Sequence, residues 1–298
     1  MKKIIEKLGL LLLVGCLVCV ISCSKDSNSD PEPPKPPVVT PEKAIEALRE
    51  FAETSGQFDA TVKESGNIVD DTGLEPTRNL YGTNGYPVIA CEAQGDKWLV
   101  TCDYGPTFIP CSDGYLRKGV VNILTTGFFT MPGTVMVVTF DNYYQKGEWL
   151  THEYKIEGTQ EIINAGANSA NPLMTDYNVT VTDGIITYNA KKVHYSETTI
   201  RTLLPDTAEL CENKWYITGE WNGKSSSDIS YTLTANTTPL YYRVCCHFFQ
   251  DGILTVDIEG LSKFTIDYGY YDEEKEPEEC DREALLTYPG LGSIVIPM

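Results

Sequence analysis

Apolar and polar residues alternate with a period of two along most of the chain, and this alternation predicts a β-rich protein. The strands predicted in this way are residues 97–102, 118–126, 134–141, 150–163, 214–221, 228–235, 240–248, 253–258, 264–268, 285–288 and 294–296. Turn residues separate several of these segments, and strands do not alternate with helices, so a parallel sheet is excluded. The pattern therefore predicts an all-β fold: an antiparallel meander with long curved strands.

One segment departs from this period and predicts a single N-terminal amphipathic helix over residues 41–55. Thr40 is a suitable N-cap, and Pro41 occupies the first helical position that proline favours. One face of the helix carries Ala44, Ile45, Leu48, Phe51 and Ala52. Gly56 is expected to end the helix, which would then pack on the sheet.

The clearest hairpin signal lies in residues 177–190, centred on Asp183-Gly184. Asp-Gly favours a two-residue type I′ turn, which would place Val181 opposite Ile186 on an apolar face. Residues 185–204 contain neither Gly nor Pro, so they are predicted to form one long strand.

Composition and charge narrow the class of protein. The 298 residues are 42% hydrophobic and 22% charged, which suits a chain with a real core and excludes a wholly disordered one. Lys and Arg number 23 against 42 Asp and Glu, giving a net charge of −19. A chain this acidic lacks the excess of Lys and Arg that binds phosphate backbones, so nucleic acid is not an expected partner.

The N-terminus predicts export and a lipid anchor. Lys2, Lys3 and Lys7 precede an uncharged apolar run over residues 8–21, which is shorter than the roughly 20 residues that span a membrane. The run ends at Ser22-Cys23 and resembles the lipobox of bacterial lipoproteins. That resemblance implies a signal peptide over residues 1–22 and acylation of Cys23, which would make the membrane a partner through the anchor.

A tether and one domain are predicted to follow the anchor. Residues 31–37 contain five prolines and favour extended polyproline II, so residues 23–39 are interpreted as a flexible Pro-rich spacer. Residues 40–298 then form a single β-rich domain that opens with the helix.

The sequence carries few signals of catalytic chemistry. The sequence contains no Gly-rich phosphate loop, no Gly-x-Ser-x-Gly elbow and no His-Glu-x-x-His motif. Cys245-Cys246-His247 resembles a metal cluster, but adjacent strand residues face opposite sides of a sheet. The acidic run 272–279 lacks the ligand spacing of an EF-hand. We therefore expect no metal, no cofactor, no catalytic residue and no enzymatic activity.

Several motifs resemble those of a family of uncharacterised β-rich Bacteroidota outer-membrane lipoproteins. They are Cys111-Ser112-Asp113-Gly114, Arg117-Lys118-Gly119, Pro132-Gly133-Thr134-Val135 and the segment 139–144, and, towards the C-terminus, Cys246 with Gly252, the segment 265–269 and Cys280-Asp281. The resemblance covers residues 98–298 and implies a fold and an outer-membrane location, either periplasmic or surface-exposed. It implies no catalytic residue.

Seven cysteines remain once those of the signal and the anchor are removed. Export makes disulfides plausible. We predict that Cys280 bonds Cys246, with Cys245 as the alternative, and that Cys102 bonds Cys111. Asp206-Thr207-Ala208 resembles the O-glycan acceptor triplet of Bacteroidota envelope proteins, which makes Thr207 a candidate glycosylation site.

Two classes of function are compatible with these features. The leading hypothesis is a lipid-anchored, non-enzymatic envelope module that binds a ligand or an envelope protein, or has a structural role. The alternative is a glycan-binding or glycan-processing component of a polysaccharide-uptake system. A concave cleft lined by two carboxylates and a flat aromatic ring would favour the glycan hypothesis.

Overall fold

The computed structural model describes residues 39–75, 87–147, 152–205, 213–244, 246, 249–269 and 283–297. The predicted signal peptide, the predicted tether up to residue 38, the acidic run 272–279 and the motif Cys280-Asp281 lie outside these residues.

The described chain consists of one helix followed by fourteen strands. Helix α1 spans Pro41–Thr72. The strands are β1 (Val88–Gln94), β2 (Lys97–Asp103), β3 (Ile109–Pro110), β4 (Tyr115–Thr125), β5 (Val135–Gly147), β6 (Tyr154–Ala167), β7 (Thr175–Tyr188), β8 (Lys191–Leu204), β9 (Lys214–Lys224), β10 (Ser230–Arg243), β11 (Ile253–Ile258), β12 (Phe264–Asp267), β13 (Glu283–Tyr288) and β14 (Gly292–Pro297).

All fourteen strands belong to one antiparallel meander, which confirms the predicted fold class. Each strand pairs with its neighbour in sequence, except that β2 and the short β3 both pair with β4. Because the order of strands in the sheet follows the sequence, the alternation of buried and exposed residues fixes the register of each strand against its neighbours.

Helix α1 is twice as long as predicted, because Gly56 does not end it. The buried face continues beyond this residue through Phe58, Val62 and Val69. The helix ends instead at Gly73, whose φ of 63° gives the left-handed C-cap that glycine favours. At the other end Thr40 accepts a backbone hydrogen bond from the amide of Ala44 but makes no side-chain cap.

Two glycines within α1 give a matched test of this helix. A Cβ at Gly56 would meet nothing within 4 Å, whereas one at Gly66 would lie 2.9 Å from the Phe129 ring. Because interior glycine costs a helix about 0.5–1 kcal/mol relative to alanine, Gly56→Ala is expected to raise the free energy of unfolding by that amount. Gly66→Ala should gain less or destabilise. Denaturant unfolding of both variants checks this, and a destabilised Gly56→Ala would contradict the continuous helix.

The hairpin predicted at Asp183-Gly184 is wrong, and so is the single strand over residues 185–204. Strand β7 runs continuously past this point, and its Val181 pairs with Gln160 of β6 and Glu197 of β8. The two-residue turn lies at Asn189 and Ala190, whose φ values of 46° and 62° are those of a type I′ turn. Asn tolerates this conformation well. The pairing of β7 with β6 and β8 places the turn at Asn189-Ala190, although local chemistry alone would have placed it at Asp183-Gly184.

Asp183-Gly184 instead forms part of a line of β-bulges that bends the sheet. The register shifts beside Gly119 in β4, beside Gly158 in β6 and at Asp183 in β7. Gly119 has φ 88°, and a Cβ there would lie 2.1 Å from the carbonyl oxygen of Asn142. Glycine is therefore required where these backbones approach each other, and the bulges increase the local bend and twist of the strands.

The hydrophobic core lies between α1 and one face of the sheet. The Phe58 ring stacks on Tyr195 of β8 at a centroid distance of 5.1 Å. About two turns earlier in the helix, the Phe51 ring makes edge contacts with Trp221 of β9 and Tyr231 of β10. The helix is thus an integral layer of the core, and residues on the other face of the strands are left to solvent.

The predicted bridge between Cys102 and Cys111 is wrong, since both cysteines are free thiols. Cys102 of β2 pairs with Val121 of β4, while the amide of Cys111 donates to the carbonyl oxygen of Tyr115. The two cysteines thus lie beside positions of β4 that are six residues apart, on either side of the bulge at Gly119. Burial raises the pKa of the Cys102 thiol to about 12.

Cys246 does take part in a disulfide, and its partner lies outside the described residues. Cys280 and Cys245 also lie outside them, so the bond between Cys246 and Cys280 stays a prediction. In the described ranges themselves, no disulfide joins two cysteines.

Candidate functional site

A buried polar cluster joins the end of β4 to helix α1. The Arg117 guanidinium, which is completely buried, forms a two-pronged ion pair with Asp113 at 2.6 and 2.5 Å. Its Nε donates to the hydroxyl of Tyr143, which in turn donates to Gln145. The Gln145 amide then donates to Gln57 of the helix at 2.8 Å.

Three of the family-like motifs meet in this cluster. Asp113 comes from the first, Arg117 from the second and Tyr143 from the segment 139–144. The guanidinium and carboxylate satisfy each other, and the guanidinium is buried while the Asp113 side chain is 32% exposed. The cluster therefore explains these motif residues as a structural linkage whose charged groups are already paired.

A second buried cluster lies farther along the helix. Arg201 of β8 forms ion pairs with Asp59 of α1 at 2.6 Å and with Glu197 at 2.7 Å. Glu197 also accepts hydrogen bonds from the hydroxyls of Tyr195 and Thr199. Burial alone would lower the pKa of the Arg201 guanidinium, but the two carboxylates raise this pKa well above its ordinary value. Arg201 and Glu197 are buried, and the Asp59 side chain is 22% exposed.

Open space occurs instead at the end of the sheet where β5 stops, β6 starts and β7 turns into β8. We call the space on the face opposite the helix the outer cleft. It has a volume of about 400 Å³ and is lined by Tyr144, Lys146, His152, Glu153, Lys155, Thr187, Tyr188 and Asn189. This volume falls in the range of sites for small ligands.

Strand alternation decides which side chains reach the outer cleft. Tyr143 and Gln145 are buried and bond towards the helix, so Tyr144 and Lys146 point to the other face. Lys155 lies likewise between two buried residues of β6. The cleft is therefore built on strands, whose positions the sheet fixes.

Aromatic and amide groups form the floor where the strands end. The His152 ring stacks on Tyr188 with centroids 5.7 Å apart and planes at 25°. The Asn189 amide lies 2.9 Å from His152 Nδ1. Together they offer a ring surface with adjacent hydrogen-bonding groups at the type I′ turn.

A second space, which we call the helix cleft, opens on the opposite face and shares His152, Tyr188 and Asn189 with the first. Its volume is about 430 Å³, and its remaining lining residues are Glu42, Ile45, Glu46, Arg49, Glu50, Glu53 and Lys191. Carboxylates and an aromatic ring thus line a concave surface, as the glycan hypothesis requires.

The carboxylates of the helix cleft are engaged with protein groups. Lys191 Nζ lies 2.6 Å from Glu46 and 3.0 Å from the buried Glu50. Glu50 also accepts from the amide and hydroxyl of Ser226, and Glu53 accepts from the hydroxyl of Tyr154. The hydrogen bond from Lys191 lowers the pKa of Glu46. These groups act as anchors for the helix and the hairpin.

The structure does not place the other predicted site residues together. Cys23 and Thr207 lie outside the described residues, so acylation and O-glycosylation stay predictions. Cys245 and His247 lie outside the described residues, and in the described ranges no group of three His, Cys, Asp or Glu side chains could hold a metal ion. Nor is any described helix long and apolar enough to cross a membrane.

Comparison with known proteins returns no match among family models, curated proteins or solved structures. The candidate site therefore rests on its own geometry.

Sequence analysis missed the outer cleft because its residues are spread over three strands. Of the lining residues, only Tyr144 was singled out from the sequence, as part of the family-like segment 139–144. The whole chain is strongly acidic, so its composition gave no indication of a local cluster of lysines. The register of β5, β6 and β7 was needed to bring them together.

Proposed function

We propose that this protein is a lipid-anchored lipoprotein of the outer membrane or cell surface that acts as a non-enzymatic binding module. Acylation of Cys23 would supply the anchor, and residues 23–39 would hold the β-rich domain away from the bilayer. The outer cleft is the observation that carries the binding role, because it is open, built on rigid strands and lined by groups able to bind a polar ligand.

The state of the carboxylates supports binding rather than hydrolysis. A glycosidase needs one carboxylic acid that stays protonated and one free carboxylate beside the bond that it cleaves. In the helix cleft Glu46 has a lowered pKa, and Glu50 is held by Lys191 and Ser226. These two side chains are better suited to holding the fold than to transferring protons.

The alternative, a glycan-binding component of an uptake system, gains support from the same region. The helix cleft combines carboxylates with the Tyr188 ring, and the outer cleft adds Tyr144 and His152. Aromatic rings beside hydrogen-bonding side chains are typical of sites for small polar ligands.

The anchor is tested by Cys23→Ala. We expect this variant to lose acylation, because the thiol is the attachment point that the lipobox resemblance implies. Metabolic labelling with an alkynyl fatty acid, followed by gel detection, measures the result. The wild-type protein should be labelled, and the matched variant Cys91→Ala should be labelled equally. Label retained in Cys23→Ala would contradict the anchor.

A glycan array combined with a reducing-sugar assay tests the binding role. We expect binding without release of reducing ends. Sustained release of reducing ends would show that the protein is an enzyme and would overturn the proposal. An inactivated preparation of the protein is the control and should release none. Failure to bind any arrayed glycan would remove the glycan alternative.

A further inference from the structure

A row of cationic and polar side chains crosses the outer face of the sheet at the outer cleft. The strand registers pair Lys118 with Tyr144, Tyr144 with Lys155, Lys155 with Thr187 and Thr187 with Lys192. Directly paired residues of antiparallel strands project to the same face. Five neighbouring strands, β4 to β8, therefore contribute one side chain each to a continuous row.

The row concentrates positive charge on a protein that is otherwise acidic. Lys146 lies two residues after Tyr144 and so joins the same face as a fourth lysine with Lys118, Lys155 and Lys192. The neighbouring acids are Glu153, 3.4 Å from Lys118, and Glu157, 2.8 Å from Lys155. Among the described residues, these four lysines and two glutamates together carry a charge of +2, on a chain of −19.

The lysines differ in how many protein groups their ammonium groups contact. The Lys118 Nζ lies between the rings of Phe108 and Tyr144, 4.3 and 4.4 Å from their centroids. This contact orients the Tyr144 ring. Lys146 lines the cleft and makes no ion pair with any residue in the described ranges, so its charge is available to a ligand.

The remaining lining groups match the hydroxyls of a sugar. The Thr187 hydroxyl, the Asn189 amide and the His152 ring can donate or accept hydrogen bonds at the edge of the cleft. The Tyr144 ring offers an aromatic surface beside them. None of the large exposed hydrophobic residues found in the described chain lines this cleft, which disfavours insertion into a lipid surface.

We propose that the outer cleft binds an acidic glycan, with a carboxylate or sulfate group on Lys146 and Lys155 and the sugar ring against Tyr144. This inference rests on the proposed binding function and narrows its ligand to saccharides that carry negative charge. Ammonium groups bind such anions through charge-assisted hydrogen bonds, which are stronger than neutral ones.

Isothermal titration of the acylated full-length protein in detergent tests the ligand class. The probes are tetragalacturonate, a chondroitin sulfate tetrasaccharide and neutral cellotetraose. We expect one or both acidic probes to bind at least about tenfold tighter than cellotetraose at low salt, and to weaken as salt rises. Preference for the first acidic probe indicates a carboxylate ligand, and preference for the second indicates a sulfate.

Substitutions locate the binding. Lys146→Ala and Lys155→Ala should each weaken the acidic probe by about tenfold, while Lys146→Arg should retain most of the affinity. Tyr144→Ala should weaken binding and Tyr144→Phe should not. Lys97→Ala, an exposed lysine of β2, is the matched control and should bind as the wild type. Thermal unfolding of each variant checks that it is folded.

The outcomes separate this inference from the proposed function. Equal affinity for acidic and neutral probes, unaffected by Lys146→Ala, overturns the acidic ligand but leaves a glycan-binding module. Binding only to phosphatidylglycerol vesicles, lost in Lys146→Ala, assigns the lysine row to a membrane surface and overturns the inference. Binding to none of the probes and to no arrayed glycan overturns the inference and removes the glycan alternative, whereas the proposed function itself fails only if reducing ends are released.

Discussion

Arg201→Ala is expected to lower the free energy of unfolding by about 3–5 kcal/mol, because it leaves a buried carboxylate without its counter-charge. The Arg201 guanidinium lies between Asp59 of α1 and Glu197 of β8. Glu197 is 2% exposed, so water cannot replace the lost ion pair. Denaturant unfolding followed by circular dichroism measures the change.

A double variant separates the charge effect from the loss of packing. Arg201→Met combined with Glu197→Leu removes the two buried charges of the triad and keeps most of their volume, and it leaves Asp59, whose side chain is 22% exposed. Replacement of a buried ion pair by apolar side chains is often neutral or stabilising. We expect the double variant to be more stable than Arg201→Ala. Arg49→Ala, on the exposed side of α1, serves as the control with a change of less than about 0.5 kcal/mol. A loss below about 1 kcal/mol in Arg201→Ala would show that the buried triad does not hold the helix on the sheet.

Phe58→Ala is expected to destabilise the protein by about 3–5 kcal/mol through lost burial and the cavity left behind. The ring is fully buried, stacks on Tyr195 at 5.1 Å and meets Phe140 edge-on at 6.4 Å. Its tip also approaches Gly184, where a Cβ would lie 3.0 Å from it. The backbone packed around Gly184 limits how far the cavity left by the ring can collapse. We therefore expect a loss of stability in the upper part of the 3–5 kcal/mol range, which is about what a poorly collapsing cavity costs.

Unfolding of Phe58→Ala should be compared with that of Leu173→Ala, which removes an apolar side chain that is 75% exposed. The exposed variant should change stability by less than about 0.5 kcal/mol. Similar changes in the two variants would mean that α1 is not part of the cooperative core.

Local patterns in the sequence predicted the class of fold correctly. Alternation over residues 97–102 and 253–258 matches β2 and β11 closely, because both strands have one buried and one open face. The start of α1 at Pro41 also followed from a local rule, since proline favours the first helical position.

Features that depend on neighbouring strands could not be predicted in this way. Asp183-Gly184 has the chemistry of a turn, yet the pairing of β7 with both β6 and β8 converts it into a bulge. Gly56 has the chemistry of a helix end, yet burial of Phe58 and Val69 carries the helix beyond it. In each case tertiary packing outweighs a local preference of about 1 kcal/mol.

The candidate site was predicted less well than the fold for the same reason. Spacing along the chain suggested a bridge between Cys102 and Cys111, but the two cysteines lie beside different parts of β4. Lys146, Lys155 and Thr187 are far apart in sequence and become neighbours only through the registers of three strands.

Lysine footprinting tests most directly whether the outer cleft is the binding surface. The full-length protein is acetylated for short times with and without saturating tetragalacturonate, and the modified lysines are quantified by mass spectrometry. We predict that Lys146 and Lys155 lose most of their reactivity, while Lys97 and Lys263, which are remote from the cleft and exposed, react unchanged. Protection of Lys263 with no protection of Lys146 and Lys155 would contradict the assignment of the outer cleft as the site.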